Sequence, residues 1–250
     1  MKTALNKIVI TAILTPALIL LPVSPALAVT TLAPDPLLSA STKACQHLLL
    51  LRSTDRDTIA THLATMDSNF AARLTKITSE KAAVDQKVAT SRANAKKQFE
   101  AKIQTLESKT GLTDAQKQAI ATYKTDMELA ETTRELAVDS ARIEYRTALY
   151  STIASQQTAL SNAVLAYQAA FEAAFATAAP SCNDGTTIST LKTAVQTAHQ
   201  TLKTTLSNIK TTDQIKQLAT TRNNAIKAAD NAFDGQTATY TTTLKSALGE

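Results

Sequence analysis

Between Pro36 and Pro180 the chain contains no proline and a single glycine, Gly111. Glycine and proline are the residues that most often end helices, so each one in such a chain is expected to mark a boundary. Gly111 is followed by a capping-box sequence that begins at Thr113 and has a glutamine, Gln116, three residues later. The sequence therefore predicts an all-α fold built on a long antiparallel helical hairpin with its turn near Gly111.

Apolar residues recur at helical spacing on both sides of this turn. Between Ile59 and Leu106, and again between Ile120 and Phe175, they follow a period of about 3.6 residues, which is typical of long, nearly straight helices. After Pro180, two more apolar stripes over residues 188–209 and 215–233 predict two C-terminal helices. The pair Asp234-Gly235 is expected to end or kink the last one, leaving a short fifth helix over 237–248.

The charges fit the same hairpin. Basic residues concentrate in the first helix and acidic residues in the second, so a hairpin folded at Gly111 brings opposite charges together. The alternatives are chance, or pairing with another molecule in the same antiparallel sense. The register places Lys81 opposite Glu144, Lys87 opposite Asp139, Arg92 opposite Glu135, Lys96 opposite Glu131, and Lys97 opposite Glu128.

The second helix loses most of its charged residues toward its C-terminal end. Between Thr147 and Ala179 its one charged residue is Glu172, and a helix that is apolar or small on several faces needs several neighbours. We therefore predict a single helical domain over 41–250. Its base, over 41–80 and 147–250, packs with the two C-terminal helices as a three- or four-helix bundle, and residues 81–147 project as a two-helix arm.

The first 28 residues have the features of a cleaved secretory signal peptide. Lys2 and Lys7 precede an apolar run that is too short to span a bilayer, and Ala26-Leu27-Ala28 is a small-x-small cleavage site. Residues 29–40 are then expected to form an extended linker. The sequence predicts a secreted or extracytoplasmic protein that does not span a membrane once the signal is removed.

The compartment bears on the two cysteines, Cys45 and Cys182. A hairpin folded at Gly111 brings both to its open end, and an oxidising compartment favours a disulfide between them. Two unpaired buried thiols are the alternative. Either way, the predicted contribution of these cysteines is to stability alone.

The sequence contains none of the motifs that would indicate catalysis, a cofactor or a metal. His47, His62 and His199 lack a recognised metal-ligand spacing, and there is no glycine-rich phosphate loop. We therefore predict no catalytic, cofactor-binding or metal-binding residue. Loss of Lys2 and Lys7 would lower the net charge from +5 to +3, which is too weak an excess to indicate nucleic acid binding.

Function is therefore inferred from architecture and compartment. The favoured hypothesis is a structural or interaction protein whose arm binds a partner protein or an anionic envelope surface. The candidate contact residues are four lysines near the arm tip, which are Lys102, Lys109, Lys117 and Lys124. The first alternative is a holdase-type chaperone, to which the long helical arm is similar in shape and which would require a homo-oligomer. The second is an enzyme of unrecognised type.

Overall fold

A computed structural model describes residues 40–181 and 185–250, and its four helices confirm the all-α fold. No strand occurs within those two ranges. A single 3-10 turn, Ala179–Ser181, follows the second helix. The helices are α1 (Ala40–Glu107), α2 (Asp114–Ala178), α3 (Gly185–Asn208) and α4 (Thr212–Leu248).

The hairpin turn is where the sequence places it. Gly111 has a φ of +79°, a left-handed conformation that glycine adopts without the steric cost of a side chain. Thr113 caps α2, because its hydroxyl accepts a hydrogen bond of 3.2 Å from the backbone N–H of Gln116. The Gln116 side chain accepts one of 3.0 Å from the backbone N–H of Thr113, which completes the capping box.

Side chains that link α1 to α2 confirm the antiparallel register. Arg52 Nε donates to Glu172 at 2.8 Å near the base, and Arg92 Nε lies 3.1 Å from Glu135 in the arm. Of these two contacts, Arg92–Glu135 is one of the five pairs that the charge pattern predicts. Two of the other predicted pairs give way to partners one turn away on the same helix, which are closer than residues across the hairpin. Thus Lys81 pairs with Asp85, Lys96 with Glu100, and Glu131 with Arg134. Asp139 instead pairs across the hairpin with Arg92, one helical turn from Glu135.

The core lies between three helices at every level of the base. Three clusters of buried and half-buried apolar side chains each draw on α1, on α2 and on α3 or α4. One representative contact set joins Phe70, Ile153 and Ile215. α2 therefore lies at the centre, with α1 on one side and the C-terminal helices on the other, as a three-helix bundle.

The arm also contains three helices, so the prediction of a two-helix arm is wrong. α4 runs antiparallel to α2 as far as the hairpin turn, where Gln116 Nε2 donates to the Leu248 carbonyl at 3.4 Å. Halfway along, Arg134 lies 2.7 Å from Asp230 and stacks on the ring of Phe233 at 5.3 Å. α4 thus covers a side of α2 that a two-helix arm would leave in water.

The prediction of a break at Gly235 is also wrong, because α4 continues through this residue to Leu248. A glycine within a helix weakens it without necessarily ending it, and the contacts of α4 with α2 outweigh that cost. A β-carbon placed on Gly235 would meet nothing within 4 Å, and its φ does not lie in the left-handed region.

Replacement of Gly235 by alanine is therefore expected to stabilise the protein. The variant Gly235→Ala removes backbone freedom from the unfolded chain and improves helix propensity, so unfolding should cost about 0.5–1 kcal/mol more. Chemical denaturation measures this change. Gly111→Ala is the matched control with the opposite sign, because it forces a side chain into a φ of +79°. A destabilised Gly235→Ala would contradict a continuous α4.

Candidate interaction surfaces

The most distinctive surface is the side of α2 that faces away from the core. Thirteen exposed residues recur there every three or four positions, and none of them is charged. We call this surface the outer stripe. Its members are Ala115, Gln118, Thr122, Thr125, Leu129, Thr133, Leu136, Ser140, Ile143, Thr147, Ser151, Ala154 and Thr158.

Large aliphatic side chains stand out from the middle of the outer stripe. Leu129, Leu136 and Ile143 are 64%, 67% and 60% exposed, and they are spaced seven residues apart on one line of the helix. The solvent-facing side of an amphipathic helix normally carries charged residues. On α2 that side instead has the heptad repeat of a surface that packs against another helix.

The threonines of the outer stripe add little polarity. Thr125, Thr133 and Thr158 each donate their hydroxyl to the backbone carbonyl four residues earlier, at 2.9–3.1 Å. A hydroxyl that donates its proton in this way no longer needs an acceptor outside the helix. The outer stripe therefore presents methyl groups and oxygen atoms between its aliphatic side chains, and a partner helix can approach it closely.

Charge is concentrated on the flanks of α2, and on the side of α1 part of it is paired within the chain. On the side of α1, Arg92 Nη1 lies 2.9 Å from Asp139, and this hydrogen bond lowers the pKa of the Asp139 carboxyl. Arg146 contacts Asp85 in the same way and lowers the pKa of that carboxyl. These ion pairs hold α1 in register, and they reduce the net charge beside the outer stripe.

The four candidate lysines do not form an uncompensated basic patch at the arm tip. Lys109 Nζ lies 2.8 Å from Glu250, which α4 brings to the hairpin turn, and the contact lowers the pKa of Glu250. Lys117 lies 3.1 Å from Asp114. Lys102 is exposed and Lys124 is half-buried. The tip therefore offers weaker attraction for an anionic surface than the sequence indicates.

The base contains a second uncharged surface, a groove of 770 Å³ between α2 and α3. Its walls consist mainly of alanine and threonine, including Ala170 and Thr197, with Leu191 and Leu202 in its lining. Small side chains on most of both walls leave this groove open.

A polar cluster lies beside the groove where α1, α2 and α3 meet. The rings of Tyr167 and His199 are 6.3 Å apart, edge to face. Burial raises the pKa of Asp55, an effect that His199 partly offsets, and burial also raises the pKa of Tyr167. The cluster joins the three helices, and it contains a single imidazole and a single carboxylate.

The predicted disulfide falls largely outside the described part of the chain, as does one histidine. Cys45 belongs to α1, but its side chain, the side chain of His47 and the whole of Cys182 lie beyond what the structure describes. Within residues 40–181 and 185–250, no group of three His, Cys, Asp or Glu side chains is arranged to hold a metal ion. The same ranges contain no helix with both the length and the hydropathy that crossing a bilayer requires.

Comparison with protein-family models, with curated proteins and with solved structures finds no match to this chain. The geometry of its surfaces is therefore the basis for any functional proposal. Sequence reasoning missed the outer stripe, although its signal was present in the heptad spacing of Leu129, Leu136 and Ile143. These residues belong to neither apolar stripe of the hairpin, and only the position of α4 shows that their side of α2 remains uncovered.

Proposed function

We propose that this chain is an exported, non-catalytic interaction protein that binds a helical partner along the outer stripe. The observation that carries the proposal is the exposure of Leu129, Leu136 and Ile143 on an uncharged face of a long rigid helix. Export follows from the predicted signal peptide. The three-helix arm serves as the rod that presents the binding face.

Burial of the aliphatic side chains of the outer stripe by a partner is energetically favourable. Covering one large aliphatic side chain contributes about 1.5–3 kcal/mol when it goes from fully exposed to fully buried, and each of these three is about two-thirds exposed. Together they offer several kcal/mol to a partner that covers them, before the cost of association. An amphipathic helix is the partner that a straight heptad line fits, because its own apolar residues recur at the same interval.

Of the two partner classes that the sequence suggests, a protein fits this face better than an anionic surface. The outer stripe has no charge with which to attract phosphate or carboxylate groups. At the tip, Lys109 and Lys117 already have carboxylate partners within the chain. A holdase-type chaperone stays an alternative prediction, and it too requires association through an exposed apolar surface.

A substitution within the outer stripe is expected to abolish partner binding without affecting folding. Leu136→Lys places a charge at the centre of the stripe and should reduce capture of the partner at least ~30-fold, the loss typical of a central contact residue. Affinity capture from the extracytoplasmic fraction, with the purified exported protein as bait, gives the measurement. The matched control is Leu49→Lys on α1, because Leu49 is 62% exposed and lies on another helix.

Circular dichroism of both variants checks that they remain helical. Equal capture by Leu136→Lys and by Leu49→Lys would refute the outer stripe as the binding face. It would favour the groove between α2 and α3 as the binding site. Loss of capture by Leu136→Lys alone supports the proposal. The wild-type protein is also captured by itself if the partner is a second copy, so tagged and untagged chains should be distinguished in the eluate.

A further inference from the structure

We infer that the occupant of the outer stripe is a second copy of this chain, packed antiparallel with Leu136 on the two-fold axis. The inference rests on the proposed function for its binding face and adds the identity of the partner. An isologous interface of this kind places one patch against itself, so the patch must be complementary to its own image. Three properties of the outer stripe meet that condition.

The first property is the order of side chains about Leu136. In an antiparallel pair centred there, Leu129 meets the partner subunit's Ile143, and Leu136 meets its own equivalent. Nearer the axis, Thr133 lies close to the partner subunit's Ser140. Aliphatic residues thus face aliphatic residues, and small hydroxyl residues lie close to one another, on both sides of the centre of the stripe.

The second property is charge. Two identical charged faces repel each other, whereas the outer stripe is uncharged, and on the flank beside α1 Arg92 and Arg146 pair with carboxylates within the chain. Asp126 and Glu144 lie on one flank, where Asp126 would approach the partner subunit's Glu144. Such exposed pairs are weak, so the aliphatic contacts decide the outcome. Because the repulsion is screened by salt, added salt should leave association unchanged or strengthen it slightly.

The third property is area. Residues 115–158 cover about 65 Å of helix at 1.5 Å per residue, and a contact about 10 Å wide buries roughly 650 Å² on each copy. The total of about 1,300 Å² lies within the range of specific interfaces, near its lower end. We therefore expect a reversible dimer with a dissociation constant in the micromolar range.

Sedimentation equilibrium of the purified exported protein tests the inference. We expect the wild type and Leu49→Lys to change from monomer to dimer as concentration rises from about 0.5 to 200 μM, a range that brackets the expected dissociation constant. Leu136→Lys should remain monomeric, with its dissociation constant raised at least ~30-fold, because it places two lysines together on the axis. A wild type that remains monomeric throughout overturns the second copy as occupant. A dimer that Leu136→Lys leaves intact overturns the outer stripe as its interface.

Cross-linking determines the orientation. Leu129→Cys and Ile143→Cys chains are mixed under oxidising conditions, with wild type as the control for the native cysteines. The antiparallel pairing predicts a disulfide between the two different variants, whereas chains cross-linked only to their own kind overturn that register. The capture experiment distinguishes a failure of the second copy as occupant from a failure of the proposed function. If the wild type is monomeric but retains another protein that Leu136→Lys loses, the second copy is wrong and the proposed function stands.

Discussion

Removal of the predicted Cys45–Cys182 disulfide is expected to lower the free energy of unfolding by up to about 5 kcal/mol. The bond would close a loop of about 137 residues, and the chain-entropy account of cross-links gives its largest effects for long loops. This value is an upper bound, because an unfolded chain is more compact than the account assumes. The effect should nevertheless exceed that of any single surface substitution in the chain.

The described helices supply the context for this prediction. α1 begins at Ala40 and includes Cys45, and near the open end Arg52 joins α1 to Glu172 of α2. Arg56 also contacts Glu172, and this cluster lowers the pKa of the Glu172 carboxyl. The predicted bond lies beyond this cluster, where it would tie the open ends of the hairpin together.

The measurement is thermal or chemical unfolding of Cys45→Ser, Cys182→Ser and the double variant, beside reduced and oxidised wild type. If the two cysteines form one bond, both single variants, the double variant and the reduced wild type should lose the same stability. Two independent buried thiols would instead give losses that add in the double variant and no effect of reduction. That second pattern would rule out the disulfide.

The sequence predicts the hairpin well because its signals are local. Gly111 in a left-handed turn and the Thr113 capping box depend on a few neighbouring residues, so they are visible without knowledge of the fold. The Arg92–Glu135 pair can be predicted from the sequence for a different reason. Once the turn is fixed, the rise of two straight antiparallel helices determines which residues face each other.

The path of α4 was harder to predict because it depends on a tertiary contact. Gly235 costs α4 only about 1 kcal/mol, and contacts such as Arg134 with Asp230 and the Phe233 ring outweigh that loss. A local pattern identifies the glycine but not the surface that compensates for it. The predicted two-helix arm was wrong for the same reason, since it assumed that the last helix ended before the turn.

The candidate site was missed by the same reasoning. Leu129, Leu136 and Ile143 lie on a helix whose other faces are also apolar or paired, so their exposure depends on where α1 and α4 pack. Sequence analysis instead selected the tip lysines by counting local charge. α4 then brings Glu250 to Lys109, a contact between residues far apart in the sequence.

The base of the bundle is expected to depend on Phe171, which is the most strongly packed large side chain there. It is 1% exposed, and its ring lies 4.6 Å from the ring of Phe175 and 6.1 Å from that of Tyr167. Phe171→Ala removes these contacts and leaves a cavity between α2 and α3 that the neighbouring helices can only partly fill. We expect it to lower the free energy of unfolding by about 3–5 kcal/mol.

Urea denaturation followed by circular dichroism provides the measurement, and Leu165→Ala is the matched control on the same helix. Leu165 is 49% exposed, so its truncation should cost less than about 1 kcal/mol. Because α1 and α2 each run through both the base and the arm, Phe171→Ala should shift one cooperative transition that includes the arm. If a separate arm transition remained at its wild-type midpoint, the outer stripe would belong to an independently folding unit. A loss similar to that of Leu165→Ala would contradict a core in which Phe171 joins the three helices.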